Sequence, residues 1–154
     1  MSNPAGVVAD ADVLAADLFV DGDARAALDH VRAHSWVELA ASDPLLDDAA
    51  AVVADLGDPG LAEDWRTKVE SLATLVDHPP GDTPALAAAH HADAAHVLTY
   101  DETMRSARTA AQLRGRIDVS VRAPDAFARL FDPESLYPEV VGGEYSGPDR
   151  DPRA

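Results

Sequence analysis

The sequence predicts an α/β domain, a three-layer α/β/α arrangement around a mostly parallel, roughly five-stranded sheet. Three observations carry this. Short apolar runs alternate with stretches whose apolar residues recur at helical spacing, the pattern of βα units. "RIDVSVR" at 116–122 alternates apolar and polar with period two and is the clearest strand in the chain. The 154 residues, 47% of them apolar, suffice for one domain with its own core.

The elements follow in order. Residues 6–14, "GVVADADVL", read as a buried strand ending in Asp10 and Asp12, with a short helical continuation over 14–19. Over 22–34, Ala24, Ala27, Leu28 and Val31 share one helical face. Strand character returns from Trp36 to Ala41. Ser42 caps a helix over 43–57, with Pro44 in its first turn and Gly57 at its end. The next helix, 60–75, spaces Leu61, Trp65, Val69 and Leu72 for a core; Trp36 and Trp65 are read as core residues. Residues 75–82 form an extended piece and a turn, 83–95 a helix from Pro84, and 96–99 a short strand. A helix over 100–113, the strand 116–122 and a closing helix over 123–131 complete the domain. From Asp132 the chain is rich in Pro, Gly and charge. The domain is therefore expected to span 1–131, with 132–154 a partly disordered tail, ordered at best near Leu136 and Tyr137.

Composition narrows the setting. Cysteine is absent, which excludes disulfides, thiolate zinc sites and cysteine nucleophiles. No apolar run approaches the ~18 residues of a membrane span. "MSNPAG" carries neither a basic segment nor an apolar signal core, so the cytoplasm is the expected compartment. Twenty-eight acidic residues oppose twelve basic ones, a net charge of −16, and Lys68 is the one lysine. Such a charge repels itself at moderate salt, but in molar salt the Debye length falls to about 3 Å and the repulsion fades. Acidic, lysine-poor and alanine-rich composition resembles that of halophile proteins. In that setting the charge serves solvation and does not exclude nucleic acid as a partner.

The chemistry-bearing residues gather at strand ends. In open parallel sheets, sites form beyond the carboxyl ends of strands, near a switch in strand order. Asp10 and Asp12 lie at one such end, Thr99 and Asp101 at another after "HVL", and Asp82 at a helix start. A phosphoaspartate receiver needs a lysine after its last strand, and none follows Lys68. "DADVL" resembles the opening of haloacid-dehalogenase-like phosphatases, with Thr99 as their strand-end hydroxyl. Lys68 precedes Thr99, the wrong order for that family, which leaves it the lesser alternative.

The chain resembles the PIN-domain family of metal-dependent ribonucleases over residues 5 to about 131. "VVADADVL" matches the family's apolar strand running into D-x-N/D, with Asp10 leading and Asp12 where asparagine is usual. "VELAASDPLLDD" resembles the second motif, with Asp48 where the family holds glutamate and Asp47 as its competitor. "GDTPALAAAHHADAAHVLTYDE" matches the third and fourth motifs as one block and contributes Asp82 and Asp101. The resemblance implies a PIN-like fold and hydrolysis of RNA phosphodiesters with Mg²⁺ or Mn²⁺. Asp10, Asp48, Asp82 and Asp101 are the implied metal ligands, and Thr99 is a hydrogen-bond donor. Crowded carboxylates repel one another, and an oxygen-preferring divalent ion resolves that conflict. Arg105 and Arg108, three apart on one helix, are candidate RNA-backbone contacts, with ion pairing to the acidic surface as the structural alternative. His90, His91 and His96 are expected to scatter and not to form a zinc site. The resemblance also implies an RNA substrate, an antitoxin protein if the chain is a toxin, and a homodimer. The alternative is a catalytically degenerate PIN-like domain acting through protein contacts.

Overall fold

A computed structural model of the chain describes residues 3–79, 83–106 and 119–152. Its centre is one five-stranded sheet: β1 (Asn3–Ala9), β2 (Glu38–Ala41), β3 (Thr74–Leu75), β4 (Ala94–Leu98) and β5 (Ser120–Arg122). The order is β3-β2-β1-β4-β5 and every neighbouring pair is parallel. Helices α1 (Ala11–Phe19) and α2 (Asp23–Arg32) connect β1 to β2, and α3 (Asp43–Leu56) and α4 (Pro59–Leu72) connect β2 to β3. Helix α5 (Pro84–Ala92) precedes β4, and α6, described over 102–106, follows it. Helices α7 (Pro124–Leu130) and α8 (Pro133–Val140) follow β5.

The chain steps from β1 through β2 to β3 in one direction, then crosses back to β4 and β5. Right-handed crossovers put the two sets of connecting helices on opposite faces, which is the expected three-layer α/β/α fold. The central strand is buried on both faces: Val7, Val8 and Ala9 are all inside, as a parallel sheet requires. Leu28, Leu45, Leu46, Val53, Val97 and Leu98 complete the core. Alanine here does packing work as well as solvation. Ala85, Ala88 and Ala89 form the buried face of α5, whose short side chains let the helix sit close on β1, β2 and β4. Gly6 has a similar reason: a Cβ there would lie 3.0 Å from Ala94 Cα, where the β1–β4 register shifts. No helix among the described residues is long and apolar enough to cross a membrane.

Several element ends differ from the sequence reading. Strand β1 stops at Ala9 because Asp10 caps α1, its carboxylate accepting from Ala11 N, so Asp12 is helical. Strand β2 starts at Glu38, after a turn closed by Val37 N donating to His34 O. Helix α4 ends at Leu72, and the expected extended piece over 75–82 pairs in the sheet as Thr74–Leu75. Helix α5 ends at Ala92, since Asp93 adopts a left-handed φ of 53°, and β4 begins two residues earlier than expected. Residues 107–118, the end of the expected helix 100–113 and the start of the strand 116–122, lie outside the described residues. Trp65 is core, whereas Trp36 is half-buried in an aromatic cluster with His34, Phe131 and Tyr137.

The largest departure is the C-terminal region, read as a partly disordered tail beginning at residue 132. It contains α8, capped by Asp132, whose carboxylate accepts from Ser135 N and Oγ. Beyond it the chain returns to the end of α2. Asp149 accepts from Ser35 N at 2.7 Å and from Ser35 Oγ. Arg150 donates to His34 O, and the Asp149 and Arg150 amides donate to Ala33 O. Tyr145 lies 2.6 Å from Nε2 of the buried His34. The other ring nitrogen of His34, Nδ1, faces the His30 carbonyl at 2.6 Å and so carries the proton; Nε2 accepts from the tyrosine hydroxyl. Pro and Gly signal irregular backbone, not absence of partners, and these partners lie 111 to 116 residues away. Tyr145→Phe should leave His34 Nε2 buried without a donor and cost about 1–3 kcal/mol of stability. Urea unfolding checks this; a midpoint equal to the parent's would show that the Tyr145–His34 hydrogen bond adds nothing.

Candidate functional site

Strand order reverses between β1 and β4, and their carboxyl ends lie side by side, with Ala9 opposite Leu98. This is where an open parallel sheet leaves a crevice. Asp10 follows β1 directly and its amide donates to Leu98 O at 2.8 Å. Thr99 follows β4 directly, and its amide donates to Arg122 O. Backbone pairing thus sets both residues at one edge of the sheet.

The Thr99 side chain ties the two strand ends together. It is fully buried. Its hydroxyl donates to Asp10 Oδ2 at 2.9 Å and accepts from the Asp101 amide at 3.0 Å. The other Asp10 oxygen accepts from Ala11 N at 2.8 Å. Asp101 caps α6, accepting from Met104 N at 3.1 Å. Asp12, in the first turn of α1, accepts from Tyr100 N at 3.2 Å. Asp10, Asp12 and Asp101 all line one cavity of about 550 Å³ between α1, α3 and the strand ends. None of the three is ion-paired among the described residues.

Electrostatics records this crowding. The Asp12 carboxyl is held above the ordinary carboxylate range, by burial first and then by Asp10, with Asp101 adding to it; the Tyr100 amide works the other way. An acid whose pKa is raised by folding favours the folded state at low pH and loses that contribution as pH rises through the folded value. Ionised Asp12 is therefore a cost at neutral pH. Asp12→Asn should raise the melting temperature at pH 7 in buffer free of divalent ions, and the difference should close as pH falls through the carboxyl range. A variant that melts at or below the parent at pH 7 would contradict this.

Residues 1–153 match DUF7384, a family of unknown function. The chain belongs to the DUF7384 family. No curated protein and no solved structure matches it. The DUF7384 match runs through α8 and the returning C-terminal segment, across the boundary expected at residue 131.

The other predicted site residues of this DUF7384 chain fall as follows. Asp48 is exposed on α3, one turn before Val52, which lines the cavity; the i, i+4 spacing puts both on one face. Asp47 is instead held by Arg66 at 2.5 Å, in a group with Asp43 and Glu70. Asp82 and Arg108 lie outside the described residues. Arg105 is half-buried on α6, in the turn after Asp101. His90 and His91 sit ring to ring at 5.3 Å, while His96 on β4 packs on Phe127. Lys68 lines a different cavity, with Asp17, Arg25 and Trp65. The sequence reading missed the apolar half of the acidic cavity, formed by Phe19 of α1, Val20 just after it, and Val52 and Leu56 of α3. Its signal was present: Asp12, Ala16 and Phe19 recur at helical spacing, so the face that carries the carboxylate also carries the ring.

Proposed function

We propose that this DUF7384 chain is a PIN-like ribonuclease that hydrolyses RNA phosphodiesters with Mg²⁺ or Mn²⁺. The observation that carries the proposal is the Asp10–Thr99–Asp101 bridge at the switch in strand order, with Asp12 on the same cavity and, among the described residues, no ion pair to Asp10, Asp12 or Asp101. Uncompensated carboxylates of this kind suit a hard divalent ion. Among the described residues no three His, Asp or Glu converge closely enough to cage an ion. Asp10 and Asp101 suit an ion that takes one or two protein carboxylates and keeps its own waters, as Mg²⁺ and Mn²⁺ do.

A divalent ion bound here would neutralise charge developing on the phosphoryl oxygens and ease ionisation of the attacking water. The chain's own residues divide the remaining work. Asp10 and Asp101 would hold the ion. Thr99 fixes the rotamer of Asp10 and positions the Asp101 backbone through one hydroxyl. Asp48, one turn before the cavity-lining Val52 on α3, would orient a water or hold a second ion. Asp82 is the further ligand expected from the resemblance. Arg105 and Arg108 are the residues that would contact the RNA backbone.

One observation favours a degenerate binding module: each of Asp10, Asp12 and Asp101 already accepts a protein N–H or O–H. The phosphatase alternative is disfavoured by Lys68, which lines another cavity. RNA cleavage in molar KCl with Mn²⁺, comparing the parent with Asp101→Asn, separates these readings. Equal activity of the two proteins would rule out the nuclease assignment, and inactivity of both would favour the binding module.

A further inference from the structure

The cavity continues past the carboxylates into a wall without charge. Ala15, Ala16 and Phe19 of α1, and Val20 just after it, face Val52 and Leu56 of α3 there. Phe19, Val20, Val52 and Leu56 are 38%, 56%, 37% and 67% exposed, a contiguous apolar surface on a chain of net charge −16. Among the described residues no aromatic ring stacks on Phe19. The tip of its ring approaches Gly57 at the end of α3, where a Cβ would lie 3.6 Å from Phe19 Cζ. Phe19 lies nine residues beyond Asp10, about 13 Å along the axis at the α-helical rise. A group resting on this wall shares one void with anything held by the carboxylates. The void's volume of about 550 Å³ falls in the range of small-molecule sites.

We propose that this wall is a base-binding subsite: the nucleoside flanking the scissile phosphate packs its base against Phe19 and Leu56. The inference rests on the ribonuclease reading and adds to it a specificity residue and a substrate requirement. An uncharged wall with a partly exposed aromatic ring accepts the π-face of a base and offers nothing to a phosphate. The phosphate belongs at the other end, where the carboxylates would hold the ion. A base inside a duplex is paired and stacked and cannot be presented this way without being extruded. The flanking nucleotide must therefore be unpaired.

The test uses the full chain in molar KCl with Mn²⁺ and single-stranded oligoribonucleotides in which one abasic residue is moved along the sequence. For the parent, an abasic residue at one position beside the cleaved bond should lower kcat/KM about tenfold or more, the scale of one lost base–aromatic stack. Phe19→Ala should lose a similar factor on intact RNA and become indifferent to the abasic residue. Phe19→Trp should restore both the rate and the discrimination. Thermal melting confirms that the variants are folded. Cleavage that is lost in Asp101→Asn but unchanged in Phe19→Ala on every substrate would overturn the subsite alone and leave the wall to a protein partner. Absence of cleavage by the parent, or cleavage indifferent to Asp101→Asn, would overturn the ribonuclease reading and the subsite with it.

Discussion

Asp101→Asn is expected to lower Mn²⁺-dependent RNA cleavage in molar KCl by roughly a thousandfold, the scale of several kcal/mol of lost charge stabilisation. The fold should survive the change. Asparagine keeps a carbonyl oxygen able to accept from Met104 N, so the cap on α6 persists. The Thr99 hydroxyl still receives the residue-101 amide, which is backbone. What disappears is one of three like charges on a common cavity, and with it part of the strain recorded at Asp12. The variant should therefore melt at or above the parent's temperature in metal-free buffer. Adding Mn²⁺ supplies a second readout independent of activity. An ion that binds only the native state raises stability by mass action, so the parent's melting temperature should climb with Mn²⁺ and the variant's should climb much less. The same Mn²⁺ response in both proteins would remove Asp101 from the ligand set, whatever the cleavage assay gave.

Thr99→Val is expected to cost about 2–4 kcal/mol of stability and most of the activity. Valine nearly matches threonine in shape but makes neither of the two hydrogen bonds. Asp10 Oδ2 loses its donor and the Asp101 amide loses its acceptor, both beside the fully buried Thr99 side chain. Each unmatched polar group carries a desolvation cost of about 1–3 kcal/mol. Thr99→Ser separates the two roles of the side chain. It retains the hydroxyl and gives up one methyl, so it should lose about 1 kcal/mol of packing and keep the cleavage activity. Urea unfolding and cleavage rates for the three proteins provide the comparison. A serine variant as inactive as the valine one would mean that Thr99 acts by filling space and that the hydroxyl bridge does not position the carboxylates.

The fold class was legible because its causes are local. Apolar residues on a buried parallel strand fall in continuous runs such as Val7–Ala9, and those on a helix recur every three or four positions, as Ala24, Ala27, Leu28 and Val31 do. Caps are equally local: Ser42 accepts from Leu45 N three residues away, and Pro44 and Gly57 flank α3 as their backbone preferences dictate. Two of the misread ends are places where a short polar residue competes for the backbone. Asp10 leaves the strand to cap a helix, and Asp93 ends α5 in a left-handed conformation. Local pattern does not show which of two permitted conformations packing will favour.

The candidate site lies on the other side of that divide. From sequence, Asp10 and Thr99 are two polar residues 89 positions apart. They meet because β4 pairs with β1, and that pairing follows from how helices of given length and shape cover the sheet, which no window of the sequence contains. The same holds for Tyr145 on His34, for Arg66 claiming Asp47, and for the wall that joins Phe19 to Leu56 across two helices. By itself the sequence determined the element types, the βα alternation and the supply of carboxylates at strand ends, because hydrophobic period and capping act over a few residues. Tertiary structure alone decided the strand order, which carboxylates share a cavity and what the C-terminal segment binds. Those outcomes depend on long-range packing, in which each contact is stable only when its neighbours have already formed.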